Sequence, residues 1–308
     1  MTKLTQIEQA STARLTAPKI DPQNIAAPGI KEESLGKSFL RVLGHPYLRV
    51  TALRCIASIL RHFFFAQYRA AFLPGRIPVS RVDHPLDLKI PFLPGKVNIY
   101  LDFVAFWIRG LGFILRNYGR QALEPARHFI ETMGQLYAHA ADVYGKHLST
   151  TYRPFYISHP RFLPIHGLDP HLMCIPSLHV MVVVRTYTFF GDLFRALGKE
   201  DAAPRSAELY RGAIAITEAV LYIKQHSVNC IPAAMYAMTR FEPRLFPPEE
   251  AARFAEELFF REKDPAAEDA QAIRQYILSM YRRFLAEGEN AADWKKPLLD
   301  FLREMPAK

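Results

Sequence analysis

The sequence predicts an all-α protein, a helical bundle, and three observations predict it. Apolar residues recur at helical spacing in long runs, as at Phe129, Met133, Leu136, Tyr137 and Ala140, which a 3.6-residue period gathers on one face. Helix-start signals such as Pro176-Ser177 and Pro247-Pro248-Glu249-Glu250 punctuate those runs. The chain shows no strand-rich region, internal repeat or low-complexity block. Half of its 308 residues are apolar, enough for a large core in one domain or two smaller ones.

Taken in order, residues 1–36 carry Pro18, Pro22, Pro28, Gly29 and Gly36 and read as an irregular N-terminal arm. A basic helical region follows over 37–85, broken near Gly44-His45-Pro46. Its second helix, Leu48 to Tyr68, places Cys55, Ile59, His62 and Phe63 on one flank and Arg54, Arg61 and Gln67 near another. Five prolines between 74 and 97 exclude a long regular element there. The helical core spans 86–240. It comprises Val97–Asn117, loosened at Gly110 and Gly112, then Pro125–Tyr144, a proline-rich connection over 152–176, a helix opening at Pro176-Ser177, and Leu209–Arg240, disturbed around Pro232. C-terminal helices starting at Pro248 and covering 266–286 and 292–304 pack on that core.

The formal charge of +9 is uneven. No acidic residue occurs from Ser34 to Val82, while Lys37, Arg41, Arg49, Arg54, Arg61, Arg69, Arg76 and Arg81 are basic; beyond Glu242 the chain is mildly acidic. A basic end points to an anionic partner: a phosphorylated small molecule or lipid, with peripheral association with an anionic membrane open to the amphipathic helix at Leu48–Tyr68. No recognised nucleic-acid fold accompanies the charge, so nucleic acid is not expected. Cys55, Cys174 and Cys230 imply neither a disulfide framework nor a thiolate zinc cluster. The start has no apolar signal core, and a reducing compartment is expected, in the cytoplasm or at the cytoplasmic membrane face. Asn98–Arg116 and Ile175–Phe194 are the most apolar runs, but each carries internal charges that cost about 2.5–3.5 kcal/mol apiece at a bilayer centre. Burial in a bundle is the cheaper reading.

The chemistry-bearing residues concentrate between Lys146 and Cys230. Lys146 and Arg153 offer an ammonium and a forked guanidinium that can hold different oxygens of one phosphate; both also suit a solvated helix end. Pro176-Ser177-Leu178-His179 sits at a helix N-terminus, where free N–H groups and the Ser177 hydroxyl attract an anion and His179 can act as general acid. The bland alternative is a capping serine and a packed histidine. His226, between Tyr222 and Cys230 in an apolar run, is either a core histidine or, with His179, a nucleophile able to form a phosphohistidine. Lys224 and Gln225 precede it and add a charge or a hydrogen bond.

These spacings resemble the type 2 phosphatidic acid phosphatase superfamily, whose relatives include bacterial acid phosphatases, lipid phosphatases, sphingolipid headgroup transferases and vanadium haloperoxidases. Its first motif, Lys, six residues, Arg-Pro, fits at Lys146 and Arg153-Pro154. Its second, Pro-Ser-Gly-His, fits at 176–179 with Leu178 for Gly. Its third, Ser-Arg, five residues, His, three residues, Asp, keeps His226 but has Ala219 and Val220 for Ser-Arg and Cys230 for Asp. The L-D-L-K-I-P-F-L-P run at 86–94 shares the family's flavour, and the likeness covers roughly residues 86–240. The resemblance implies a bundle like the phosphatase and haloperoxidase core and a phosphatase or phosphotransferase needing no metal. In it Lys146, Arg153, Ser177 and Lys224 hold phosphate, His226 attacks phosphorus and His179 protonates the leaving oxygen. Vanadate would enter as an inhibitor, or as the cofactor of a haloperoxidase.

The departures set the alternative of a weak or inactive relative that binds a phosphorylated ligand or serves as a scaffold. Losing a cation weakens transition-state stabilisation, and losing the aspartate removes the group that orients His226. Asp192 or Asp142 are the sequence's candidates to replace it.

Overall fold

The computed structural model describes residues 29–198 and 201–308; most of the arm expected over 1–36 lies outside them. Within them, Ile30–Glu32 is a 3-10 turn and Ser34 caps the first helix by accepting from the Lys37 N–H at 3.4 Å, as a serine at that position does. The fold is all-α. Its helices are α1 (Leu35–Gly44), α2 (Pro46–Ile59), α3 (Ala66–Phe72), α4 (Val97–Leu101), α5 (Phe103–Tyr118), α6 (Leu123–Tyr144), α7 (Phe162–Leu168), α8 (Leu178–Leu197), α9 (Ala202–Tyr222), α10 (Cys230–Phe241), α11 (Pro248–Glu257), α12 (Ala267–Glu289) and α13 (Lys296–Glu304). A π-helical turn, Leu60–Phe65, joins α2 to α3.

Helix α8 is the centre. It packs on α5, α6, α9 and α10, and nearly its whole surface is buried apart from its C-terminal end. A helix apolar on every side belongs in a core. Its one fully buried cation, Arg185, bonds Glu242 at 3.0 Å and the Thr132 hydroxyl at 2.7 Å and stacks over Phe189, the pairing a buried charge requires.

The basic N-terminal helices lie against the α5–α6 pair, α1 on α5 and α2 on α6. Small residues set these contacts. A Cβ on Gly112 would sit 1.9 Å from Ser38 Oγ, and one on Gly134 would sit 3.3 Å from Cys55 Cα. The freed backbone is used: Arg41 donates to the Gly112 carbonyl at 3.1 Å and Ser58 to the Gly134 carbonyl at 2.6 Å. Gly110 and Gly112 therefore do not loosen their helix; the break falls earlier, at Asp102, between α4 and α5. Gln67, expected on the outer face, is buried and bonds Asp169 at 2.9 Å.

Two short strands, β1 (Val79–Arg81) and β2 (Leu148–Thr150), pair in parallel. Segment 172–175 lies beside β2: Ser149 N–H donates to the Leu172 carbonyl, and the Cys174 and Ile175 N–H groups donate to the Ser149 carbonyl and hydroxyl. Among the described residues, the helical run Pro94–Tyr144 is the one stretch long and apolar enough to cross a membrane, with a mean hydropathy of 1.4 and 56% of its most apolar window buried in the protein. A core helix pair gives the same signature.

Candidate functional site

His226 does not lie within a helix. Residues 223–229 form a turn between α9 and α10, with Lys224 at φ +57°. That turn is fastened from outside. The Asp87 carboxylate accepts from Val228 N–H at 2.8 Å, Asn229 donates to the Val82 carbonyl at 3.1 Å, and the Leu93 N–H bonds the Tyr222 carbonyl at 2.9 Å. Pro232 falls in the first turn of α10, where a missing N–H costs little.

Ser177 occupies the N-cap position of α8, but its hydroxyl does not cap. It faces His226 Nε2 at 3.3 Å instead. The Tyr144 hydroxyl donates to the Pro176 carbonyl, and with the segment beside β2 it fixes the Pro-Ser-Leu-His turn. His179 follows in the first turn of α8, and its Nδ1 lies 3.4 Å from His226 Nε2 across 47 residues of chain. Tyr100 stacks on the His179 ring at 4.5 Å, and Phe103 contacts it at 4.1 Å. The two histidines therefore meet edge to face in one buried cluster.

Burial lowers both rings. At His179 the neighbouring His226 adds to the effect, and at His226 the charge of His171 does, leaving each at about 3. Both are neutral near pH 7. A neutral imidazole has the lone pair a nucleophile needs; acting as an acid requires it first to take up a proton, which an entering anion would favour. The Nδ1 of His226 is buried and makes no hydrogen bond of regular geometry among the described residues, though the Cys174 carbonyl acts on the ring.

Arg153 joins the cluster through Gln225, whose Oε1 accepts at 3.3 Å. It also bonds the Asp169 carbonyl at 3.1 Å and carboxylate at 3.4 Å. The other expected cations go elsewhere. Lys146 lies exposed at the end of α6 and faces a separate groove. The Lys224 ammonium donates to the carbonyls of Asp87 at 2.5 Å and Ile90, so it ties down a loop. Ala219 and Val220 are buried in α9, and Cys230 is buried at the start of α10 with its thiol turned to Cys174.

Neither expected replacement carboxylate reaches His226. Asp192 pairs with Arg244 at 3.0 Å and Arg195 at 3.4 Å at the surface, and Asp142 is exposed on α6. The carboxylate of this region is Asp169. It accepts from Gln67 and from the His171 N–H, each at 2.9 Å, and lies 3.9 Å from His171 Nδ1. Burial works against its charge, but His171 and Arg153 outweigh that and hold the carboxyl at about 2. Burial likewise opposes an imidazolium at His171, yet the Cys174 sulfur and Asp169 raise it to about 9. His171 Nε2 bonds the Thr151 hydroxyl at 2.9 Å and approaches Cys174 Sγ at 3.7 Å. Burial pushes thiols up; at Cys174 the Cys230 thiol and His171 reverse this, and at Cys230 burial and Cys174 act together.

Sequence reasoning missed Asp169, His171 and Cys174. A signal was present: D-P-H-L-M-C runs over 169–174, directly before the Pro-Ser-Leu-His turn. A cavity of about 270 Å³ opens against this side of the cluster, lined by Arg81, Thr151, Tyr152, Arg153, Pro170 and His171 among others. Its cations and imidazolium make it suited to an anion. Among the described residues no group of His, Cys, Asp and Glu has the arrangement of a metal site. Comparison with known proteins returned no matching family model, no matching curated protein and no matching solved structure.

Proposed function

We propose that the chain acts on a phosphate monoester or lipid phosphate without a metal, as a phosphatase or phosphotransferase. The convergence of His226 Nε2, His179 Nδ1 and Ser177 Oγ within 3.4 Å supports this reading. In the first step His226 Nε2 bonds phosphorus as the bond to the leaving oxygen breaks, and a protonated His179 gives that oxygen its proton. In the second, the oxygen of water, or of an alcohol in transfer, bonds phosphorus as the nitrogen–phosphorus bond breaks, and His179 takes the proton that oxygen gives up. Arg153 and Ser177 hold phosphate oxygens. A tetrahedral phosphoryl group does not fit between nitrogens 3.4 Å apart, so the rings must separate on binding.

A second reading, a weak or inactive relative that binds a phosphorylated ligand, draws on a different observation. Among the described residues no carboxylate meets His226 Nδ1, while Cys230 faces Cys174 and Arg153 already holds Asp169. An unoriented imidazole in a comparable triad loses several orders of magnitude in rate. Hydrolysis of a panel of phosphomonoesters and lipid phosphates, with and without vanadate, tests both. Activity blocked by vanadate and abolished in His226→Ala supports the enzyme. A silent wild type that Cys230→Asp activates, with the fold checked by thermal melting, supports the disabled relative. Silence throughout, with no binding of phosphate or vanadate, overturns both.

A further inference from the structure

A second concave surface lies apart from the histidines. It is a groove of about 1420 Å³ between the α2–α3 arm, the end of α6, β1 and the residues after α13. Arg61, Arg69, Arg76 and Lys146 stand around it, and no Asp or Glu is among the described residues that line it. None of these four cations makes an ion pair or hydrogen bond with a described residue; Lys146 acts on Asp293 only through space, and Asp293 is already bonded to Lys295. Phe65, Leu73, Ile77, Leu148, Leu172 and Met173 supply an apolar lining. Clustered charges of one sign raise the local potential and draw an oppositely charged partner. Cations held unpaired around an apolar trough match a molecule with an anionic head and a hydrocarbon tail.

The rim carries the same character. Phe65 is 66% exposed and Phe72 78%, with Leu60, Phe64 and Leu73 also exposed nearby. Contiguous exposed apolar surface marks an interaction site, and basic residues beside it suit the boundary of an anionic lipid layer. We infer that this groove binds an anionic amphiphile, with the headgroup among Arg61, Arg69, Arg76 and Lys146 and the chain along the Phe65–Met173 lining. The inference is independent of the histidine chemistry.

Equilibrium binding to dodecyl phosphate below its micellar concentration tests it, beside inorganic phosphate and the uncharged dodecyl maltoside. In His226→Ala, which cannot turn over a phosphomonoester, one dodecyl phosphate per chain, bound more tightly than either comparison probe and dependent on the groove arginines, is the expected result. Arg69→Ala/Arg76→Ala should weaken it about ten-fold or more, since charge-assisted hydrogen bonds carry most of such recognition. Arg69→Lys/Arg76→Lys should recover part of the loss. Arg61→Gln offers a milder variant should the double alanine fold poorly. Maltoside binding equal to that of the phosphate overturns the inference, as does inorganic phosphate binding as tightly, or arginine variants that bind like wild type. Vesicles of phosphatidylcholine with and without phosphatidic acid separate the sources. Sedimentation with the anionic vesicles that dodecyl phosphate competes away supports a bilayer lipid; dodecyl phosphate binding without vesicle binding supports a free amphiphile.

Discussion

Arg153 and the arginines of the groove bring the same guanidinium into opposite company. Around Arg153 the chain supplies Asp169, Gln225 and two carbonyls, so the cation is satisfied and its position fixed. Around Arg61, Arg69 and Arg76 the described residues that line the groove include no Asp or Glu. The first cation is organised by the fold and must exchange partners to hold a phosphate. The second group already faces solvent and needs only to be met. One region spends its electrostatics on structure, and the other leaves them to a ligand.

Breaking the satisfied region should give the largest effect. Arg153→Ala takes from the mostly buried Asp169 one of its two cations, leaving His171, and removing one partner of a buried pair costs about 3–5 kcal/mol. Asp169 keeps partial exposure, which places the expected loss in chemical denaturation near the low end, about 3 kcal/mol. Gly112→Ala comes next. Its methyl group would overlap Ser38 Oγ at 1.9 Å, and such overpacking costs about 1–3 kcal/mol. The loss should appear as a lower Tm, with α1 lifted from α5 and the histidine cluster retained.

The third effect is pH dependence, which the groove arginines cannot contribute. His179 and His226 titrate at about 3 in the folded chain, below the ordinary histidine value. Between about 3 and 6.5 the unfolded state therefore binds more protons, so stability rises with pH and is lost as pH falls. Each ring contributes a slope of up to about 1.4 kcal/mol per pH unit. Glu218 opposes this in part: burial raises it to about 7, so its contribution falls as pH rises from about 4.5. Denaturation of His179→Asn and Glu218→Gln across pH 4–8 should flatten the two slopes separately. The smallest effect belongs to the groove. Arg69→Ala should change stability by no more than about 0.5 kcal/mol, and an unchanged melting curve beside the Arg153→Ala loss completes the contrast.

Helical class and most helix positions were legible in the sequence, because periodicity and turn chemistry are local; the grouping of Ser177, His179, Arg153 and His226 was suggested by motif spacings that resemble a known family, not by any local pattern. The placement of Lys146 was not. The residues after it run into β2, and an extended run of seven residues separates its ends by about 20 Å, which carries Arg153 away from the lysine that precedes it. His226 read as helical because Leu221, Tyr222, Ile223 and Val228 are apolar; the turn there depends on Asp87, far away in sequence, bonding Val228. Asp169 was hidden for the same reason. Its importance comes from Gln67 and Arg153, neither of which any local pattern connects to it.

The π-helical turn at Leu60–Phe65 has a consequence for how this chain tolerates length change. A wide turn of this kind holds one more residue than an α-helical turn of the same rise. Deleting a single residue there would restore a continuous α-helix with the segments on either side still in phase, whereas a deletion in α2 itself would rotate everything beyond it by about 100°. After the deletion in α2, Arg69 would swing off the groove wall and the exposed rings of α3 would turn with it. The groove's chemistry is thus written partly in phase as well as in side chains, and the π-helical turn is the place in this arm where one residue can be lost with that phase kept.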